Sequence, residues 1–115
     1  MTSIAKIVPS GSTNGKPIKV VATASTGTTF HTTGSGTSVL DEVHMYLSNT
    51  STSDVIATVE FGGTTSPDNL LKFTVPASET ICAIPGLILC NSLVVTVFAA
   101  TGNVLTMSGF INRIT

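Results

Sequence analysis

The chain has 115 residues, enough for one domain with one core, since two halves would each have too little apolar area to bury. Its formal net charge is −1, only 10% of its residues are charged, and its five cations (Lys6, Lys16, Lys19, Lys72 and Arg113) are scattered. A polyphosphate backbone needs a concentrated basic footprint, so nucleic acid is not an expected partner.

Ser and Thr together supply 33 residues and Gly another ten. With so many residues branched at Cβ, and so few of the usual helix formers, this is a strand-and-turn composition. The longest apolar runs, 81–89 and 93–100, are interrupted by Pro85, Gly86 and Thr96 and fall short of the roughly 20 residues a spanning helix requires. No membrane span is expected. Residues 1–16 carry Pro9, Ser10, Gly11 and Asn14 where a signal peptide needs an apolar stretch, so no export signal is expected either.

In chain order, residues 1–16 read as an N-terminal arm, or an edge strand over 3–8 followed by a flexible loop ending in Ser12-Thr13-Asn14-Gly15-Lys16. Residues 17–115 then read as one β-sandwich domain with strands over 18–24, 28–32, 39–48, 53–61, 70–75, 79–84, 92–99 and 103–114. Alternation is clearest where Val43, Met45 and Leu47 share one face against Glu42, His44 and Tyr46, and where Val55, Ala57, Val59 and Phe61 oppose Asp54, Ile56, Thr58 and Glu60. Strand follows strand with no helical period between. The expected fold is all-β: a small antiparallel β-sandwich, jelly-roll-like, of seven to eight strands.

The segment 92–99 departs from alternation. From Leu93 on, Leu93, Val94, Val95, Val97, Phe98 and Ala99 leave only Thr96 polar, so both faces call for cover and one of them is expected to meet another subunit. With a mean hydropathy of +0.47, this points to a domain whose surface is partly interface. Cys82 and Cys90 are expected to be small buried hydrophobes, with a bridge across a Pro85-Gly86 turn as the geometric alternative.

Only one cluster of titratable groups stands out, Asp41-Glu42-Val43-His44. In a strand Glu42 and His44 project from one face about 7 Å apart, the spacing of two metal ligands or an acid–base pair. A metal needs a third protein ligand, for which Glu60 or a symmetry-related His44 would have to serve. The expected reading is a solvated or interfacial polar face with no metal and no cofactor. No G-x-S-x-G elbow is present, and His31 lies among Thr and Gly residues with no carboxylate beside it, so no catalytic residues are expected. Gly34-Ser35-Gly36-Thr37-Ser38 lacks the Lys and helix of a phosphate loop and reads as a plain loop. Asn49-Thr50-Ser51 matches the glycosylation sequon, a tripeptide frequent by chance in a chain so rich in Ser and Thr. Sugar-binding sandwiches usually offer aromatic platforms; here there is no Trp, one Tyr, and five Phe mostly on apolar faces.

From Leu40 to Ile114 the chain resembles small virion structural proteins of tailed bacteriophages. The resemblance is carried by Val43-His44-Met45-Tyr46-Leu47-Ser48-Asn49-Thr50-Ser51, Val59-Glu60-Phe61-Gly62-Gly63-Thr64-Thr65, Ser66-Pro67-Asp68 and Gly109-Phe110-Ile111-Asn112-Arg113-Ile114. It implies a capsid decoration or cement protein, or a vertex or tail component, built on a β-sandwich, often trimeric, and without catalytic residues. The implied partners are the major capsid protein or another virion protein and further copies of the chain. The implied location is the virion, at the capsid surface, after synthesis in the host cytoplasm. The residues expected at such interfaces are Ile4, Ile7, Val8, His44, Tyr46, Leu93, Val95 and Val97. The competing expectation is a host-surface or carbohydrate-binding module using loops 49–54 and 62–68.

Overall fold

Alternating apolar and polar residues build nine strands in the computed structural model, which describes residues 3–115. They are β1 (Ile4–Ile7), β2 (Ile18–Lys19), β3 (Thr28–Thr32), β4 (Leu40–Asn49), β5 (Val55–Phe61), β6 (Leu70–Val75), β7 (Thr80–Cys90), β8 (Val94–Ala99) and β9 (Leu105–Ile114). Among the described residues there is no helix. One sheet runs β1-β9-β4-β7, with β2 also on β9; the other runs β3-β8-β5-β6. Every pairing is antiparallel. β1 lies opposite Ile111 to Ile114 and β2 opposite Thr106 and Met107, so the two short strands divide one edge between them.

If β1 and β2 are counted as one position, the chain passes from sheet to sheet at every connection except the β5–β6 hairpin, and no strand of the first sheet neighbours its sequence successor. That is the jelly-roll order, two Greek keys wrapped around one core. The expected sandwich is present, with nine strands in place of seven or eight. Its core comes from the inward positions: Val43, Met45 and Leu47 of β4, Val55, Ala57 and Val59 of β5, Val95, Val97 and Ala99 of β8, and Leu105, Met107 and Ile111 of β9, all buried. Each large side chain among them contributes roughly 1.5–3 kcal/mol by leaving water. Gly109 is where β9 comes closest to β4. Its φ of +150° disfavours other residues, and a Cβ there would collide with the carbonyl oxygen of His44.

Three expectations change. Pro85-Gly86 is no turn: β7 runs straight through it as the edge strand of its sheet, where a missing N–H costs no ladder bond, and two bulges against β4 at Val43/His44 and Met45/Tyr46 absorb the irregularity. Cys82 and Cys90 therefore lie at opposite ends of one strand, unbridged, Cys82 exposed and Cys90 half-buried. The outer face of β8 is covered from within the chain at Thr96, where residues 22–27 lie against the strand, with the Ala99 N–H donating to Ala22 O at 3.1 Å and Gly27 against the backbone of Val97; Val94 and Phe98 on the same face stay half-buried.

The third change concerns the loop of residues 8–16, expected to be flexible and found anchored, while Ile4–Ile7 form the edge strand that was expected as the alternative to an arm. The Gly11 N–H donates to Phe30 O (2.9 Å), the Thr32 N–H to Ser10 Oγ (2.7 Å), and Pro9 is buried. The loop so closes the outer edge of β3. Deleting residues 1–16 is predicted to lower the stability of the domain by about 3 kcal/mol or more, because it strips β9 and β3 of edge partners together. Urea unfolding of the truncated and full chains measures this, and an unchanged midpoint would mean that the segment is a detachable arm.

Candidate functional site

Three clusters of polar side chains concentrate the chemistry of the chain, and the first is buried. Asp41 occupies an inward position of β4, in the same row as Val43, Met45 and Leu47, and is completely buried. An unpaired carboxylate there would cost several kcal/mol, so the fold surrounds it with donors. Arg113 of β9 donates from Nε to Oδ1 (2.8 Å) and from a terminal nitrogen to Oδ2 (2.9 Å), the Gly34 N–H donates to Oδ2 (3.1 Å), and His31 of β3 approaches Oδ2 with Nε2 at 2.7 Å. The Ser10 N–H donates to the other imidazole nitrogen, Nδ1 (3.0 Å), which leaves Nε2 as the protonated nitrogen that donates to Asp41.

Burial alone would raise the Asp41 carboxyl; the hydrogen bonds from Arg113, His31 and Gly34 outweigh it and lower the pKa to about 2. The His–Asp geometry is that of a catalytic dyad, but a backbone N–H occupies the position from which a nucleophile would be activated, and His31 is 1% exposed. What it does mechanically is join β3 of one sheet to β4 and β9 of the other.

The second cluster is Glu60 of β5, on the outer face of its sheet yet 1% exposed. It accepts from Ser25 Oγ (2.6 Å), the Gly27 N–H (2.8 Å) and Thr96 Oγ1 (2.7 Å). Burial raises its carboxyl, and the bonds from Ser25, Thr96 and Gly27 outweigh it, leaving the pKa below the ordinary value. Glu60 so clamps the covering segment 22–27 onto β8.

The third cluster is the outward row of β4 and its neighbours. His44 Nε2 and Glu42 Oε1 are 2.7 Å apart, and Asn112 Nδ2 donates to the same oxygen at 3.0 Å; the bonds from Asn112 and His44 hold the Glu42 carboxyl below its usual range. The His44 ring stacks on Phe110 at 4.3 Å with 13° between planes, and Lys6 Nζ lies 4.7 Å from the centre of the Phe110 ring. Glu42 and His44 thus share a face as expected, but Glu60 belongs to the opposite sheet with its oxygens engaged. Among the described residues no three His, Cys, Asp or Glu side chains gather as metal ligands.

Of the residues expected at an interface, Ile4, Val8, Tyr46 and Leu93 are exposed, Ile7 and His44 are half-buried, and Val95 and Val97 are wholly in the core. The last two present nothing outward, because β8 is an inner strand of its sheet and its odd-numbered positions face the other sheet. The loops proposed for sugar are largely self-satisfied. Asn49 is 2% exposed, with Nδ2 donating to Ser53 O and Val75 O and Oδ1 accepting from Ser51, so the sequon amide is engaged in the fold. Asn69 Oδ1 likewise accepts from the Thr65 N–H.

The Asp41 network escapes a reading confined to neighbours in sequence, because His31, Asp41 and Arg113 are brought together only by the sheet order. One signal was available: by parity Asp41 shares the inward face of Val43, Met45 and Leu47, and a charge on an apolar row requires a partner. No protein-family model, curated protein or solved structure matches this chain.

The Asp41 network sets the response to acid. A carboxyl lowered to about 2 in the folded state adds stability that is present above the unfolded pKa near 4 and is lost as pH falls through the folded value. Asp41→Asn is predicted to remove about 2 kcal/mol at pH 7 and to flatten the fall in stability between about pH 4 and pH 2. Chemical denaturation across that range reads both effects, and an unaltered acid limb would contradict the assigned role.

Proposed function

We propose that this chain is a non-catalytic structural protein of a bacteriophage virion, decorating or cementing the outer face of the head through contacts with the major capsid protein and with other copies of itself. The observation that carries the reading is a sparsely charged surface with large apolar groups exposed on it. Asp41, Glu60 and His31 are buried and engaged within the chain, the exposed charges are scattered (Lys6, Lys16, Lys19, Asp54, Asp68, Lys72 and Glu79), and Ile4, Val8, Val21, Tyr46, Ile56, Leu87, Ile88 and Leu93 stand 41–69% exposed. A chain with so few free charges gains most by covering such groups in an assembly. Among the described residues no buried side-chain nitrogen or oxygen lacks a partner, so the interior presents no unfilled polar position for a ligand. The jelly-roll order adds support by analogy, since viral capsid proteins often use it, and the sequence resemblance points the same way.

A second reading, a carbohydrate-binding module, is favoured by one feature. A shallow hollow of about 220 Å³ on the outer face of the β3-β8-β5-β6 sheet is lined by Phe98, Ile56, Thr58, Thr23 and Lys72, offering an aromatic side chain beside two hydroxyls and an ammonium. If it binds sugar, Phe98→Ala abolishes the binding.

Particles assembled without the chain are predicted to lose their contents at lower temperature than complete ones, and adding back the purified protein is predicted to restore the difference. Equal heat resistance with and without it would contradict the cementing role. Saturable glycan binding by the isolated domain, lost in Phe98→Ala, would favour the second reading.

A further inference from the structure

One contact of this fold is incompatible with an added proton, the one between His31 and the N-terminal loop. The ring is 1% exposed, with Nε2 donating to Asp41 Oδ2 at 2.7 Å and Nδ1 accepting from the Ser10 N–H at 3.0 Å. A backbone N–H only donates, so the second bond exists only while Nδ1 carries no hydrogen. An imidazolium carries one on each nitrogen. Proton uptake therefore turns the Ser10 contact from a hydrogen bond into two donors face to face, with the ring shut off from any solvent acceptor.

A small local turn at Ser10 does not relieve that conflict, because the loop is pinned on both sides of it. Pro9 is buried, Ser10 Oγ accepts from the Thr32 N–H at 2.7 Å, and the Gly11 N–H donates to Phe30 O at 2.9 Å. Gly11 lies so close on β3 that a Cβ there would overlap the Thr29 carbonyl oxygen. Separating Ser10 from the ring thus moves the segment off the β3 edge as a unit. The charged groups that face His31 are Asp41 of β4, whose pKa of about 2 keeps it ionised in mild acid, and Arg113 of β9 behind the same carboxylate. β8, the neighbour of β3 in its sheet, has no charged side chain, and neither have residues 8–12. Nε2 keeps its acceptor in either protonation state, so the change falls on the Ser10 side alone.

We infer that the Ser10–His31 contact is an acid-sensitive latch: protonation of His31 frees residues 8–12 from the edge of β3 while the sandwich stays folded. Opening it gives Nδ1 water to donate to, and leaves Phe30 O and the Thr32 N–H, both on that edge, without their loop partners. β1, paired with β9 on the other sheet, is not part of the movement. Imidazoles ordinarily titrate at about 6.5, and for a one-proton latch opening becomes about tenfold more frequent with each pH unit below that. No partner enters the device, so it stands or falls separately from the cementing role.

Amide hydrogen exchange of the full chain, with rates corrected for the intrinsic effect of pH, tests this. Between pH 7.5 and pH 5 the protection of the Ser10, Gly11 and Thr32 amides is expected to fall by at least about tenfold, while that of Val43 and Val59 in the inner strands holds. His31→Gln, which keeps a donor toward Asp41 and takes up no proton in this range, is expected to abolish the fall. His44→Gln, on the outer face of the other sheet, is expected to leave it unchanged. Nitrogen chemical shifts of the His31 ring, a reading that needs no variant, are expected to show Nδ1 bare for as long as the Ser10 amide is protected. Protection that persists to pH 5, a fall shared by Val43 and Val59, a fall that survives His31→Gln or is lost in His44→Gln, or a protonated Nδ1 beneath a protected Ser10 amide each overturns the proposal.

Discussion

A carboxylate buried in an apolar sandwich is the constraint around which this structure closes. Asp41 sits on the inward face of β4 with no access to water, so the fold survives only where donors reach it from every side. Arg113 reaches it from β9, Gly34 from the β3–β4 connection and His31 from β3 in the opposite sheet. Ser10, through the second nitrogen of His31, extends the same network into the N-terminal loop. Hydrophobic packing between two sheets is tolerant of sliding; the His31–Asp41 hydrogen bond, which crosses from one sheet to the other, is not. The polar network contributes registry, fixing how the sheets sit on one another, while the apolar rows contribute most of the stabilisation.

Glu60 repeats the logic on the outer face of the other sheet, where Ser25, Gly27 and Thr96 converge on one carboxylate and hold segment 22–27 in place. With so few charges in the chain, committing these two acids and Arg113 to internal ties leaves a surface of hydroxyls, amides and exposed aliphatic groups with only scattered charges between them. Such a surface is poor at repelling neighbours and good at packing against them. The stacked His44 and Phe110 lie under Lys6 on the outer face of the larger sheet, beside the Glu42 carboxylate. The uncharged β7 lies at the rim of that sheet.

Much of the fold was legible from period-2 alternation and turn residues. β3 and β6 fall where the pattern puts them, and β4 differs by a single residue at each end, because each has a clear apolar face and polar ends. β7 was legible only as far as Ile84, since Pro and Gly in sequence read as a turn, whereas on a sheet edge they are tolerated within a strand. The stretch after Lys19 reads as strand from its Val and Ala content, yet it leaves the ladder to cover β8, a tertiary outcome that local propensity does not encode. The polar sites divide in the same way. Glu42 and His44 are neighbours by parity and were visible; His31, Asp41 and Arg113 meet only through a jelly-roll order that pairs the first half of the chain with its last strand. Burial of Val95 and Val97 follows from that order as well, since both face the opposite sheet.

The claim on which this account turns is that the chain acts as a repeated part of a particle. Quantitative mass spectrometry of purified virions, counting this chain against the major capsid protein, tests it most directly. The account predicts copies in a fixed proportion to the major capsid protein and numerous enough to cover the shell; a few copies per particle would move the chain to a vertex or tail, and absence from particles would contradict the claim.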